Sequence, residues 1–350
     1  MTIALVALGV APSAVVAAAP AGLRCDEILF SVALAPGQEA DFTVVGWLCS
    51  RGRIVNKTIQ VLLHGATYDH NYWDFPYRPD QYSYVRAATV AGYATLNMDR
   101  LGHGRSSRVA GDVLDLNAGA FAVHQIIQDL RSGEIVSNGF GRIQAERILL
   151  AGESIGGNIA WLEAGTYQDV DGLLVAGSAH VFSVGFEDIR KHTVPVETDP
   201  LLGWRSFPPG YFTTRIGTRG LLFYYEPNTD PTVILVDEIL KQTITLGENT
   251  SVGPTLPVSR RVNAPTLITV GDFDDLFCDP PSCTATGSLD GETANYGAGS
   301  CAELTIVSDA GHNLNLHRNA PAYFDLVQEW ADRRVGPSTL VEPPPRPCQE

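Results

Sequence analysis

Residues 148–157, Ile-Leu-Leu-Ala-Gly-Glu-Ser-Ile-Gly-Gly, constrain the chain more than any other stretch. Four apolar residues end in Gly152-Glu153-Ser154-Ile155-Gly156, after which helical spacing runs to residue 168. A strand that becomes a helix this abruptly needs a turn too tight for side chains on either flank of the serine, and Gly152 and Gly156 give that room. A serine on such a turn projects its hydroxyl from the C-terminal edge of a sheet. The first N–H groups of the following helix, unpaired within it, aim at the same spot. Ser154 is therefore the candidate nucleophile.

The rest of the chain supplies the sheet. Continuous apolar runs at residues 58–63, 94–98, 147–151, 172–176, 265–270 and 302–307 have the pattern of strands buried on both faces. Helical spacing at 82–91, 121–135, 155–168 and 320–334 alternates with them. This predicts an α/β fold with a mostly parallel central sheet flanked by helices, in which ligands bind at the carboxyl ends of the strands. Residues 26–34 and 41–48 alternate apolar and polar around Pro36-Gly37-Gln38 and read as an edge hairpin.

From 182 to 261 the alternation lapses into a stretch rich in proline and aromatics, with one amphipathic segment at 232–243. It reads as a cap inserted after the sixth strand. The expected organisation is an export signal at 1–21, a core in two parts at 22–181 and 262–335 on either side of the 182–261 cap, and a proline-rich tail at 336–350.

Residues 2–21 are almost uninterrupted apolar and small residues ending in Ala19-Pro20-Ala21, the form of an export signal, although no basic residue precedes the apolar core. Pro12 and Pro20 argue against the alternative of a membrane anchor. All six cysteines follow this segment, an even number that suits three disulfides in an oxidising compartment. Cys25 and Cys49 bracket the edge hairpin and are expected to pair; pairing among Cys278, Cys283, Cys301 and Cys348 stays open. No Cys-x2-Cys pair favours zinc, and no metal ligand is assigned. A net charge of −15 argues against nucleic acid or an anionic membrane surface as partner.

A serine hydroxyl needs a base to take its proton, a carboxylate to orient that base, and N–H donors for the oxyanion. His312 follows a late strand in an Ala-Gly-His turn, and Asp274 follows the strand before it. Asp272 and Asp275 are the rival acids. His317 is the rival base and is expected at the surface. The expected donors are the N–H of Ile155 and that of Ala66 after His64-Gly65, with Thr67 the next choice. His64 is expected to shape this loop, and Asp99, His103 and Ser106 to hold a neighbouring one. Tyr68, Tyr72, Trp73, Phe75 and Tyr77 are assigned to packing, and Glu153 either faces the pocket or pairs at the sheet's edge.

His64-Gly65, the 99–106 segment, Gly152-Glu153-Ser154-Ile155-Gly156, Gly271-Asp272-Phe273-Asp274 and Gly311-His312, in this order, resemble the α/β-hydrolase superfamily over roughly residues 58–334. The resemblance implies a Ser154-Asp274-His312 triad and an acyl-enzyme route without cofactor. A serine at the elbow is unlike the aspartate of haloalkane dehalogenases and epoxide hydrolases. The expected activity is cleavage of a fairly apolar small-molecule ester or lactone, with no nucleic acid partner and no stable membrane insertion once the signal is removed. A thioesterase, a peptidase or an acyltransferase of the same fold is the alternative, and a binding protein that has lost activity is another.

Overall fold

The computed structural model describes residues 22–340, so the expected export segment and the end of the tail with Cys348 lie outside the described residues. Eight strands form the central sheet: β1 (Leu23–Val32), β2 (Phe42–Arg51), β3 (Ile59–Leu63), β4 (Ala94–Asp99), β5 (Ile148–Glu153), β6 (Gly172–Ala176), β7 (Thr266–Gly271) and β8 (Glu303–Val307). Their spatial order is β1-β2-β4-β3-β5-β6-β7-β8. Strand β2 is antiparallel to both its neighbours, and every pairing from β4 to β8 is parallel.

Strands β3 to β7 are buried along their whole length, which is why each reads as an unbroken apolar run. Successive side chains go to opposite faces. Val61, Leu63, Leu150, Val175 and Ile268 share a core with the helices Leu116–Ser132 and Ile155–Tyr167, whereas Leu62, Leu149, Leu174 and Leu267 share one with Tyr84–Val90 and Ala320–Arg334. The Leu116–Ser132 helix starts five residues before its expected position. Asp115 caps it, accepting the Ala118 N–H at 2.8 Å, and the polar first turn with Asn117 and Gly119 hides that start from apolar periodicity.

Between β6 and β7, the sixth and seventh strands of the sheet, the chain builds a separate antiparallel sheet of Thr193–Pro195, Tyr211–Thr214 and Ile244–Thr245. Helices Phe186–His192, Pro231–Leu240 and Leu246–Thr255 accompany it. Cys25 and Cys49 face each other in the β1–β2 ladder and are joined with a Cα–Cα distance of 4.1 Å. Cys278 pairs with Cys283, and Cys301 is disulfide-bonded as well. No helix among the described residues is long and apolar enough to cross a membrane.

Candidate active site

Ser154 joins β5 to the Ile155–Tyr167 helix with φ of 53° and ψ of −121°. A non-glycine residue held there carries strain of about 1–3 kcal/mol, and the surroundings enforce it. A Cβ on Gly152 would fall 2.1 Å from the Gly156 carbonyl oxygen, and one on Gly156 would fall 2.4 Å from the Leu63 oxygen. The Ser154 N–H donates to Ala176 O at 2.9 Å, and Ser154 O accepts from Asn158 N at 3.0 Å. The serine is thus pinned between β6 and its own helix.

Asp274 lies beyond β7, where its N–H bonds Gly271 O at 3.1 Å, and it is fully buried. His312 lies beyond β8. The two turns are packed so closely that a Cβ on Gly271 would sit 2.2 Å from Gly311 O. The His312 Nδ1 meets Asp274 Oδ2 at 2.9 Å, and the other carboxylate oxygen of Asp274 accepts the Leu276 N–H at 3.1 Å. Of the rival acids, Asp275 is exposed and Asp272 accepts the Thr284 N–H at 2.8 Å. Burial lowers the His312 pKa, but the charge and hydrogen bond of Asp274, with Glu153 behind them, carry it above the ordinary value.

Glu153, left open by the sequence, faces the site. Its carboxylate is fully buried, with Oε1 3.4 Å from His312 Nε2. Burial pushes it up to about 7, against the opposing pull of His312. Gly65 packs directly on it, since a Cβ there would lie 2.2 Å from Glu153 Oε2 and 2.9 Å from Ser154 Cβ.

The loop after β3 is held from below. His64 Nε2 accepts the Arg100 N–H at 3.1 Å, while the Arg100 side chain donates to His64 O at 2.7 Å and to Gly65 O at 3.3 Å. Arg100 and His103 both meet the buried Glu248. The charge of Arg100 and the hydrogen bonds from Arg100 and His103 outweigh burial and hold its carboxyl below the usual range. Asp99 and Ser106 also act as scaffold, with Asp99 accepting from His70 and Arg105 and Ser106 bonding the Asp99 and Val45 backbone.

Two expectations are corrected. His317 is fully buried, not at the surface: its Nε2 accepts the N–H groups of Tyr225 at 2.9 Å and Gly311 at 3.0 Å, and burial lowers its pKa to about 4. It braces the turn that carries His312. Thr67 is not a spare donor, because its N–H donates to Thr243 O at 3.0 Å while Thr67 O accepts from Gln242 N at 2.9 Å.

Ser154, His312 and Ala66 line one cavity of about 230 Å³, together with Tyr68, Ile189, Phe212, Phe223, Ile244 and Leu246. Most of these apolar walls come from the insertion. Tyr72, Trp73 and Phe75 are packed inside the core, as expected, whereas Tyr68 reaches the cavity wall. The sequence did not single out Arg219 and Asp237, a buried pair with Nε–Oδ2 at 2.8 Å and Nη2–Oδ1 at 2.9 Å. Arg219 also donates to Thr67 Oγ1 at 2.8 Å, and Tyr68 and Tyr224 donate to Asp237. An arginine inside the apolar Leu221-Leu222-Phe223 neighbourhood was the one available sign.

The chain matches the family described as "Alpha/beta hydrolase family" over residues 60–326. The chain belongs to the alpha/beta hydrolase family. Similar solved structures include a thermophilic esterase from Thermogutta terrifontis, at 17% identity and a TM-score of 0.57, covering 87% of this chain and 97% of that one. A membrane phospholipase A described as a bacterial virulence factor shares 19% identity with a TM-score of 0.55, covering 88% and 86%. The thioesterase domain of the curacin biosynthetic pathway shares 16% with a TM-score of 0.53, covering 87% and 99%. At these identities the likeness is one of fold. No curated protein sequence matches this alpha/beta hydrolase significantly.

Proposed function

We propose that the chain is an exported serine hydrolase that cleaves a carboxylic ester or lactone with an apolar acyl or alcohol part. The observation that carries this reading is a serine on a left-handed turn sharing a cavity with a histidine whose Nδ1 is held by a buried aspartate at 2.9 Å. In the proposed reaction Ser154 Oγ attacks the carbonyl carbon while His312 takes its proton. The N–H groups of Ala66 and Ile155 hold the oxyanion. Collapse expels the alcohol, which leaves with the proton from His312, and water then repeats the sequence on the acyl-enzyme to release the acid.

The insertion at 182–261 acts as the cap in this reading, since it furnishes the apolar walls. A volume of about 230 Å³, small for a ligand cavity, favours short to medium acyl groups. The disulfides support an oxidising destination.

The test is labelling with an active-site phosphonate and hydrolysis of nitrophenyl esters of graded chain length, with Ser154→Ala alongside. The variant is expected to lose labelling and about 10⁴-fold or more of turnover. A folded wild type that neither labels nor turns over any ester would overturn the reading, and labelling that survives in the variant would move the nucleophile elsewhere.

A further inference from the structure

On the sheet face that carries the Leu116–Ser132 and Ile155–Tyr167 helices, three potential ligands converge away from the cavity: His124, Glu163 and Asp169. One ligand atom from each lies within 4.8 Å of the others. His124 Nδ1 is 2.8 Å from Asp169 Oδ2 and 3.8 Å from Glu163 Oε1. We propose that this cluster binds a divalent transition-metal ion, with Zn²⁺ the best match, pinning the two helices together.

The unexplained group is Glu163. It is 0% exposed, and neither carboxylate oxygen has a hydrogen-bond donor among the described residues. A carboxylate taken out of water without donors is costly, and a structural role in packing would be served better by an apolar residue. Asp169 Oδ1 is buried without a partner as well. Glu163 Oε1 and Asp169 Oδ2 lie 3.8 and 2.8 Å from His124 Nδ1, which is hydrogen-bonded to Asp169 Oδ2, so a cation taking the place of that proton would draw on all three groups.

The donor set selects the ion. One imidazole nitrogen with two carboxylates matches Zn²⁺, which takes such ligands at about 2.0–2.2 Å in a tetrahedron and leaves a fourth position to water. Tetrahedral ligands at that radius stand about 3.3–3.6 Å apart, and the 2.8 and 3.8 Å separations bracket this. Outer contacts orient the ligands as metal sites require. Gln128 Nε2 donates to Asp169 Oδ2 at 2.6 Å, the His124 ring stacks on Tyr167 with centroids 3.8 Å apart, and Arg131 holds the Asp169 carbonyl at 2.6 Å. The C-terminal end of the Ile155–Tyr167 helix lies beside Asp169 and favours positive charge. Access is open, since His124 and Asp169 keep side-chain exposures of 23% and 14%.

The experiment uses the full mature chain without a histidine tag, stripped with chelator and titrated with ZnCl₂ by calorimetry, with metal content measured after dialysis. Variants are Glu163→Gln, His124→Gln and, as a control on the separate Asp69, His70, Asp99 group, His70→Gln. Wild type and His70→Gln are expected to bind one equivalent and to melt at a higher temperature with Zn²⁺. Glu163→Gln and His124→Gln are expected to bind at least about tenfold more weakly and to lose the thermal shift. If Glu163→Gln fails to fold, the partly exposed His124→Gln decides alone. Absence of saturable binding by wild type, equal binding by His124→Gln, or loss confined to His70→Gln would each overturn the proposal.

Discussion

Glu153 Oε1 stands 3.4 Å from His312 Nε2, on the side of the imidazole opposite Asp274. Two buried carboxylates therefore flank one ring, and the second lies where the serine proton would arrive in the proposed reaction. While Glu153 is ionised it favours the imidazolium, which cannot accept that proton.

Activity is accordingly expected to rise with pH as His312, whose pKa is raised, becomes neutral. Glu153→Gln removes one of the charges that sustain the imidazolium, so the acid limb of kcat/KM should move to lower pH. A merely structural role for Glu153 would lower the plateau without moving the limb. Stability has its own signature. The folded carboxyl titrates at about 7 against an ordinary 4.5, so the folded state binds more protons between these values and stability falls as pH climbs through that window. Urea melts of Glu153→Gln across it should show a shallower decline than wild type.

Among Asp272, Asp274 and Asp275, it is Asp274 that meets the His312 ring. Replacement by asparagine keeps the shape but leaves the imidazole without its anionic partner, and kcat is expected to fall on the order of 10⁴-fold. Asp272→Asn and Asp275→Asn, whose carboxylates lie off the imidazole, should stay within a few-fold of wild type in the same assay.

Arg219→Met strands the Asp237 carboxylate, which is 1% exposed. Loss of one member of a buried pair costs about 3–5 kcal/mol, measurable as a lower urea midpoint. The double variant Arg219→Met, Asp237→Asn should recover part of that loss, because no unpaired charge then stays buried.

The Cys25–Cys49 bond closes a loop with a sequence separation of 24 residues. Replacing both cysteines by alanine is expected to cost about 3 kcal/mol, read from chemical denaturation, and to leave ester turnover almost unchanged because β1 lies at the edge of the sheet far from Ser154.

The sheet was legible because β3 to β7 are buried on both faces, and such strands cannot avoid continuous apolar runs. The elbow was legible because only glycine fits at 152 and 156. Within the insertion the strands are two to four residues long, too short for any period to show, and the buried ion pairs around them, Arg219 with Asp237 and Lys241 with Asp199, join residues well apart in the sequence. His317 was misplaced for a related reason: its neighbours Arg318 and Asn319 and the nearby Pro321 look like a surface helix start, while its ring takes backbone donors from the distant Tyr225 and from the nearby Gly311 turn. Glu153 could not be decided from its own strand, since the ring it faces arrives from beyond β8.

The reciprocal bonds between Thr67 and residues 242–243 tie the insertion to the loop beside Ser154. A flap hinged to swing clear of the serine would have to tear both bonds, and with them the footing of the neighbouring Ala66. Any opening of the insertion at this edge would thus be passed straight to the loop beside the serine.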